Sequence, residues 1–515
     1  MAVPAPPPTG WPEAGSKPIR WAKVLDQSRC IGCHACTTAC KSENAVPLGV
    51  TRTYVKSVEV GSFPRARRAF QVTRCNQCED APCVEACPTG AMYRRPDGIV
   101  DFDKSICIGC KACMAACPYD AIFINPEDHS AEKCNFCAHR LDQGLEPACV
   151  VVCPTEAILV GDLDDPTSKV AQIVGRESVQ VRRPEKATSP KVFYRGAHQA
   201  TLDPLAARRP GGGLFMWSQQ SGEVVSGAPA GAANSSAAAL LAYDVAHARP
   251  WGWRVGLYTW TKSLAAGVYL VALSLLLAGR LPAPNPLWGW GSPLLAGVFL
   301  ALTGLLLIWD LKHPFRFHLI FIRPQWRSWL VRGAFVIGAY GLLLAADLGA
   351  GLGGLAAIQL VLIAPGLPLA ALAAVYTGFL FAQARGRDLW QSPLLPAHLL
   401  VQAFLAGSAG LLPLALWLAP GTTAALALVL AGSALAHLLL VVAETTLPHP
   451  TAQARLAGHD LLRGGSALFF WTGVALVAIA VTAPWTGPWT FAPTLAGLAA
   501  YEHAYVRAGQ SVPLA

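Results

Sequence analysis

Charge is the first scarcity in this chain. Asp, Glu, Lys and Arg make up only 14% of its 515 residues and mean hydropathy is +0.40, values at odds with a purely water-soluble protein. Cysteine is absent after Cys153, although sixteen cysteines stand between Cys30 and that residue. Long apolar runs are almost missing before residue 255 and dominate after it. The two halves therefore carry different chemistry.

The opening stretch "MAVPAPPPTGWPEAGSKPIRW" has no apolar run of the kind that directs export, and no twin-arginine pair ahead of one. On that reading the cysteines face a reducing compartment, where clustered thiols are metal ligands before they are disulfides. No nucleophile with an attendant base and no phosphate-cradling glycine loop lies among them. The formal net charge of +9 is that of the bare chain. Four cubane clusters, each about −2 with its thiolates, bring the total near zero, so no nucleic-acid partner is expected.

The cysteines fall into four groups of four. "CIGCHACTTAC" supplies Cys30, Cys33, Cys36 and Cys40, and "CIGCKACMAACP" repeats the spacing with Cys107, Cys110, Cys113 and Cys117. "CNQCEDAPCVEACP" stretches one gap, with Cys75, Cys78, Cys83 and Cys87; "CNFCAHRLDQGLEPACVVVCP" opens it further, with Cys134, Cys137, Cys149 and Cys153. Three cysteines in one short loop wrap three corners of a cubane, and the fourth, ahead of Pro, starts a helix leading to a neighbouring cluster. Zinc ribbons share the Cys-x-x-Cys pairs but lack the repeated third and fourth cysteines. Four [4Fe–4S] clusters are expected. Short strands over "GIVDFD" (Gly98–Asp103) and "AIFIN" (Ala121–Asn125) fit small α+β ferredoxin-like repeats over residues 1–165, acting as a wire for single electrons.

Residues 166–250 drift towards Pro, Gly, Ser and Ala, with "RRPGGG" and "SGAPAGAANSSAAA" near the end. Two readings stay open there: a partly irregular tether, or a segment that wraps the neighbouring domain or a partner.

Residues 251–515 read as an all-α bundle of eight membrane helices, at about 256–278, 291–309, 328–348, 355–382, 396–419, 421–443, 466–484 and 488–508. An even count places both ends of this half on one side. The short loops of that side hold Lys312, Arg316, Arg323, Arg327, Arg385, Arg387, Arg455, Arg463 and Arg507, against Arg280 alone opposite. The positive-inside rule then puts this face and the iron–sulfur domain on the cytoplasmic side of a bacterial inner membrane.

"DLKHPFRFHLIFIRPQWRSW" (Asp310–Trp329) is the loop between the second and third spans, apolar enough in "FHLIFI" to lie in the interface. Electrons leaving buried clusters at a membrane need an acceptor there, and a lipid-soluble quinone suits; its reduction also needs two protons. Asp310, His313 and Arg316 are candidates to bond and protonate it, or else to cap helices and bind phospholipid headgroups. Lys262 stands one turn from Tyr258 on the same face of the first span, where it either serves a site or snorkels. Glu444 closes the sixth span, and Tyr376 is a possible donor to the quinone. His398, His437 and His503 lie in or near spans, no two on one helix at a useful spacing, so no haem is expected.

The sixteen-cysteine layout resembles the four-cluster subunits of molybdopterin oxidoreductases of the dimethyl sulfoxide/polysulfide reductase kind. "DLKHPFRF", "RPQWRSW" and "YTGFLFAQARGRDLWQSPLLP" make residues 250–510 similar to the eight-span polysulfide reductase/NrfD-like anchors, which carry quinone and no haem. The resemblance implies a fusion of two subunits and a catalytic partner bearing a molybdenum or tungsten pterin. It also implies the ligand sets: Cys30, Cys33, Cys36 and Cys153; Cys40, Cys134, Cys137 and Cys149; Cys75, Cys78, Cys83 and Cys117; Cys87, Cys107, Cys110 and Cys113. Quinone, ubiquinone or menaquinone, is implied among the first four spans, near Tyr258, Lys262, Asp310, His313, Arg316 and Tyr376. The function expected is that of a non-pterin subunit of a quinone-linked oxidoreductase, with a lean to formate or sulfite oxidation. An ion-translocating part of a larger respiratory complex, like alternative complex III, and a passive anchor are the competing readings.

Overall fold

The computed structural model describes residues 19–61, 64–208, 239–282 and 284–515. The protein forms two compact units, residues 1–250 with 513–515, and residues 251–512. Residues 209–238, which hold all but the first residue of "RRPGGG" and all but the last of "SGAPAGAANSSAAA", lie outside the described residues.

In the first unit the strands are β1 (Trp21–Asp26), β2 (Thr53–Val60), β3 (Arg67–Arg74), β4 (Met92–Arg94), β5 (Val100–Phe102), β6 (Ile122–Ile124), β7 (Ala131–Lys133), β8 (Ile158–Asp162), β9 (Val179–Gln180), β10 (Val192–Arg195) and β11 (Leu240–Tyr243). The helices are short: α1 (Ala35–Glu43), α2 (Pro82–Ala86), α3 (Ala112–Ala116), α4 (Ala138–Leu141), α5 (Ala148–Val151), α6 (Lys169–Arg176) and α7 (Gln199–Leu202). One sheet has the order β8-β1-β10-β9 and another β11-β2-β3, while β4–β5 and β6–β7 are antiparallel hairpins. The two expected strand regions are thus the arms β5 and β6. Each hairpin follows a cysteine helix: α2 and α3 pack on one another, and both end at Cys-Pro, where proline lacks the N–H to continue the helix. A buried pair, Arg52 to Glu132 at 2.9 Å, ties the approach to β2 to β7.

The segment expected as a linker is not a plain tether over its described part. β10 pairs in parallel with β1, Val24 opposite Phe193, so residues beyond 166 complete the sheet. Alternation in "VFYR" buries Val192 and Tyr194 and leaves their neighbours half-buried, the period of a one-sided strand.

The second unit contains α8 (Trp253–Leu277), α9 (Ser292–Asp310), α10 (Leu319–Ile322), α11 (Trp329–Leu352), α12 (Ala356–Ala382), α13 (Leu395–Leu418), α14 (Thr423–Thr446), α15 (Ala452–Arg463), α16 (Ala467–Ile479), α17 (Ala483–Thr486) and α18 (Phe491–Ala508). Helix α8 is the hub, with 78% of its apolar window buried against 28–61% in the other spans, and it packs on α9, α12, α13 and α18. Backbones touch where side chains vanish: a Cβ on Gly267 would fall 1.7 Å from Ala403 O across the α8–α13 contact. Leu305, Leu342, Val361, Leu428 and Leu439 point outward, as lipid-facing positions do.

Seven helices, not the expected eight, are long and apolar enough to cross a membrane among the described residues. The eighth expected span does form α18, packed on α8, α13 and α16, but Glu502, His503 and Arg507 in its last turns take its composition outside that class. A count of seven removes the parity argument for the placement of the two ends.

The Asp310–Trp329 loop breaks into a 3-10 turn at Pro314–Arg316 and the one-turn α10. Phe315 is 91% exposed and Ile322 68%, an arrangement suited to an interfacial loop.

Candidate redox site

The first Cys-x-x-Cys loop of each group passes through a left-handed residue just before its second cysteine: Gly32 (φ 69°), Gln77 (φ 48°), Gly109 (φ 67°) and Phe136 (φ 59°). That backbone curls a loop around a centre and aims amides inward. Glycine at 32 has a second reason, since a Cβ there would lie 2.3 Å from the Phe70 ring. Amides do reach sulfur: Met92 N donates to Cys87 Sγ at 3.3 Å, Ala131 N to Cys107 Sγ at 3.5 Å, and Ala157 N to Cys153 Sγ at 3.2 Å.

The thiols gather into groups. Cys30 is within electrostatic reach of Cys33 and Cys153, and Cys36 of Cys30 and Cys33. Cys40 neighbours Cys134, Cys137 and Cys149; Cys83 neighbours Cys75, Cys78 and Cys117; Cys113 neighbours Cys87, Cys107 and Cys110. Adjacent groups are also within electrostatic reach, Cys36 of Cys149, Cys75 of Cys134 and Cys113 of Cys83, so the four form one row. Burial, with the crowding of other thiols, pushes Cys36 up to about 11 and Cys40 up to about 12. Bound iron would hold these thiols as thiolates, displacing their protons. The residues fit cubane iron–sulfur clusters, whose chemistry when bound is one-electron transfer.

Cys149 differs. Burial disfavours its thiolate, but Lys23 and Arg74 outweigh that cost and pull it down to about 7. Arg74 Nη1 donates to its sulfur at 3.2 Å and Lys23 Nζ at 3.6 Å, both side chains being fully buried. Lys133, also buried, lies near Cys75 and Cys83 and donates to Val100 O. The stretch beyond 166 joins the site as well: Tyr119 OH meets Thr188 Oγ1 at 2.5 Å, Glu79 N donates to Ser189 O at 2.8 Å, and Lys191 N to Asn76 O at 2.9 Å. Composition hid this role.

In the second unit Tyr258, Lys262 and Tyr376 come together. Lys262, fully buried, lies with Nζ 5.4 Å from the centre of the Tyr376 ring and donates to Ala374 O, which removes the snorkelling alternative. Tyr258 is within electrostatic reach of Tyr376 and Asp310. Gly333 on α11 makes room for Tyr376, because a Cβ there would lie 2.3 Å from its ring. His313 and Arg316 are half-buried on the loop that follows α9.

Four buried polar groups have relations that the sequence reading missed. Glu502 on α18 is within electrostatic reach of Lys262. Asp347, buried on α11, accepts from Gln359 Nε2 at 3.2 Å. His398 and His437, on separate helices, are not independent: Nε2 of the first stands 2.8 Å from Nδ1 of the second. The seven-residue step from His437 to Glu444, two helical turns on one face, was the available signal.

A row of thiol groups in one unit and an apolar helical bundle in the other define a membrane-anchored iron–sulfur electron-transfer protein. A 4Fe-4S dicluster domain matches residues 67–163, a 4Fe-4S binding domain residues 21–42, and the polysulphide reductase NrfD family residues 243–486. The B subunit of tetrathionate reductase from Salmonella typhimurium is 44% identical over 202 residues, 38% of this chain and 79% of that protein. The B polypeptide of polysulfide reductase from Wolinella succinogenes is 42% identical over 177 residues, covering 34% and 93%. The arsenate respiratory reductase iron–sulfur subunit ArrB of a Shewanella species is 37% identical over 224 residues, covering 34% and 96%. The protein belongs to the iron–sulfur subunit family of such reductases, here fused to an NrfD-type membrane domain.

Proposed function

We propose that this chain relays electrons through four [4Fe–4S] clusters between the membrane quinone pool and a separate catalytic subunit carrying a molybdenum or tungsten pterin. The observation that carries the reading is the fully buried Lys262 beside Tyr376 and Tyr258, an amine and two phenols inside an apolar bundle. These groups suit the two carbonyl oxygens of a quinone. The cysteine sets are those given above, and the chain itself performs no chemistry on the partner's substrate.

The relatives named above are reductases, and none is named for formate or sulfite. We therefore take electrons to run from quinol, through the clusters, to an oxidised sulfur or arsenic compound bound by the partner. The eight basic residues Lys312, Arg316, Arg323, Arg327, Arg385, Arg387, Arg455 and Arg463, between the second and third, fourth and fifth, and sixth and seventh spans, favour the cytoplasmic side of the inner membrane for their face. Anaerobic co-purification tests the reading: a large pterin-bearing chain with about sixteen irons per copy of this one is expected. Iron without such a chain contradicts it.

A second reading, ion translocation, is favoured by Asp347. It lies nineteen residues into α11, in the half of the bundle away from the basic loops. Quinol-driven proton movement across vesicles, lost in Asp347→Asn, would mark this reading; its absence in the wild type would end it.

A further inference from the structure

Helices α13, α14 and α18 build a second polar chain that the proposed function does not use. Glu444, in the last turn of α14, is open at the rim with 11% of its side chain exposed, whereas His398 and His437 are sealed. His398 Nδ1 faces Glu444 Oε2 at 3.1 Å, and its Nε2 faces His437 Nδ1 at 2.8 Å. Tyr501 OH donates to the same Glu444 oxygen at 3.4 Å. Glu502 is within electrostatic reach of both His398 and Lys262, and its Oε1 has no partner among the described residues. An imidazole bonded at both nitrogens takes a proton on one side and releases one on the other. Ionisable side chains inside an apolar bundle are costly, and a packing role alone does not repay several of them in contact.

We propose that Glu444, His398 and His437 form a proton wire from the membrane rim into the bundle, which Glu502 continues towards Lys262, with Tyr501 fixing the position of Glu444. This rests on Lys262 and Tyr376 being the quinone site. When quinol is oxidised, its two O–H bonds break; bound iron–sulfur clusters would take the two electrons one at a time, and the two protons pass by way of Lys262 and Glu502 to the His437–His398 pair, Glu444 and water. Quinone reduction runs the same route backwards.

The test uses the full chain with its clusters in detergent, mixed anaerobically with a short-chain quinol while cluster reduction is followed optically. Glu444→Gln and Glu502→Gln keep shape and lose the titrating oxygen. Each is expected to slow reduction about a hundredfold, enlarge the solvent deuterium isotope effect and respond to added imidazole. Affinity for a fluorescent quinone analogue is expected to stay at the wild-type value. Wild-type rates in both variants overturn the wire, as does slowing with neither isotope effect nor rescue. Lys262→Met is the separate control: unchanged analogue affinity there overturns the quinone site itself.

Discussion

Arg74 reaches Cys149 across 75 residues of sequence, its Nη1 donating to the sulfur at 3.2 Å. Reduction adds negative charge to a cluster, so a fixed cation beside it raises the potential. Arg74→Gln is expected to lower the potential of the cluster bound through Cys149 by on the order of 100 mV, the effect of one charge a few ångströms away at an effective dielectric of about 20. Redox titration by electron paramagnetic resonance checks this, and the potentials of clusters further along the row should move less.

Cys83→Ala removes one thiol from the group with Cys75, Cys78 and Cys117. Iron content is expected to fall from about sixteen to about twelve atoms per chain, with one spectral component lost. Three-iron retention at the altered site is the other readable outcome and still identifies Cys83 as a ligand.

His247 is buried between Asp120, at 2.7 Å, and Asp244, at 3.1 Å. Burial opposes its charge, but the two carboxylates prevail and raise it to about 9. A folded-state value above the unfolded 6.5 means stabilisation that is complete below pH 6.5 and lost as pH rises through 9, worth about 3 kcal/mol. Thermal melts of the intact chain should weaken between these limits, and Asp120→Asn should flatten that slope.

Gly333 stands where a Cβ would strike the Tyr376 ring at 2.3 Å. Gly333→Val is expected to displace that ring, at an overpacking cost of about 1–3 kcal/mol, and to weaken quinone-analogue binding without changing iron content. A titration with the analogue reads it directly.

Local spacing and run length made much of this molecule legible. The three cysteines that each loop contributes follow from covalent reach, the fourth member of each set came only from the family resemblance, and strands β5 and β6 and the first seven spans follow from unbroken patterns. What escaped depends on contacts between distant segments. Lys23 meets Cys149 from 126 residues away, and His398 meets His437 from 39. No periodicity encodes either meeting. The stretch after residue 166 left a tether and a wrapping segment both open because its composition drifts to Pro, Gly, Ser and Ala, and Val192–Arg195 in fact pairs with an edge of β1. Helix α18 read as a span because length was weighed above the Glu502, His503 and Arg507 that close it.

The most direct test of the account is anaerobic mixing of the purified protein, clusters intact and catalytic partner absent, with a short-chain quinol. Rapid cluster reduction in the wild type, abolished in Lys262→Met with iron content unchanged, is the predicted result. Clusters that stay oxidised in the wild type, or that Lys262→Met reduces at the wild-type rate, would contradict electron exchange with quinone at this site.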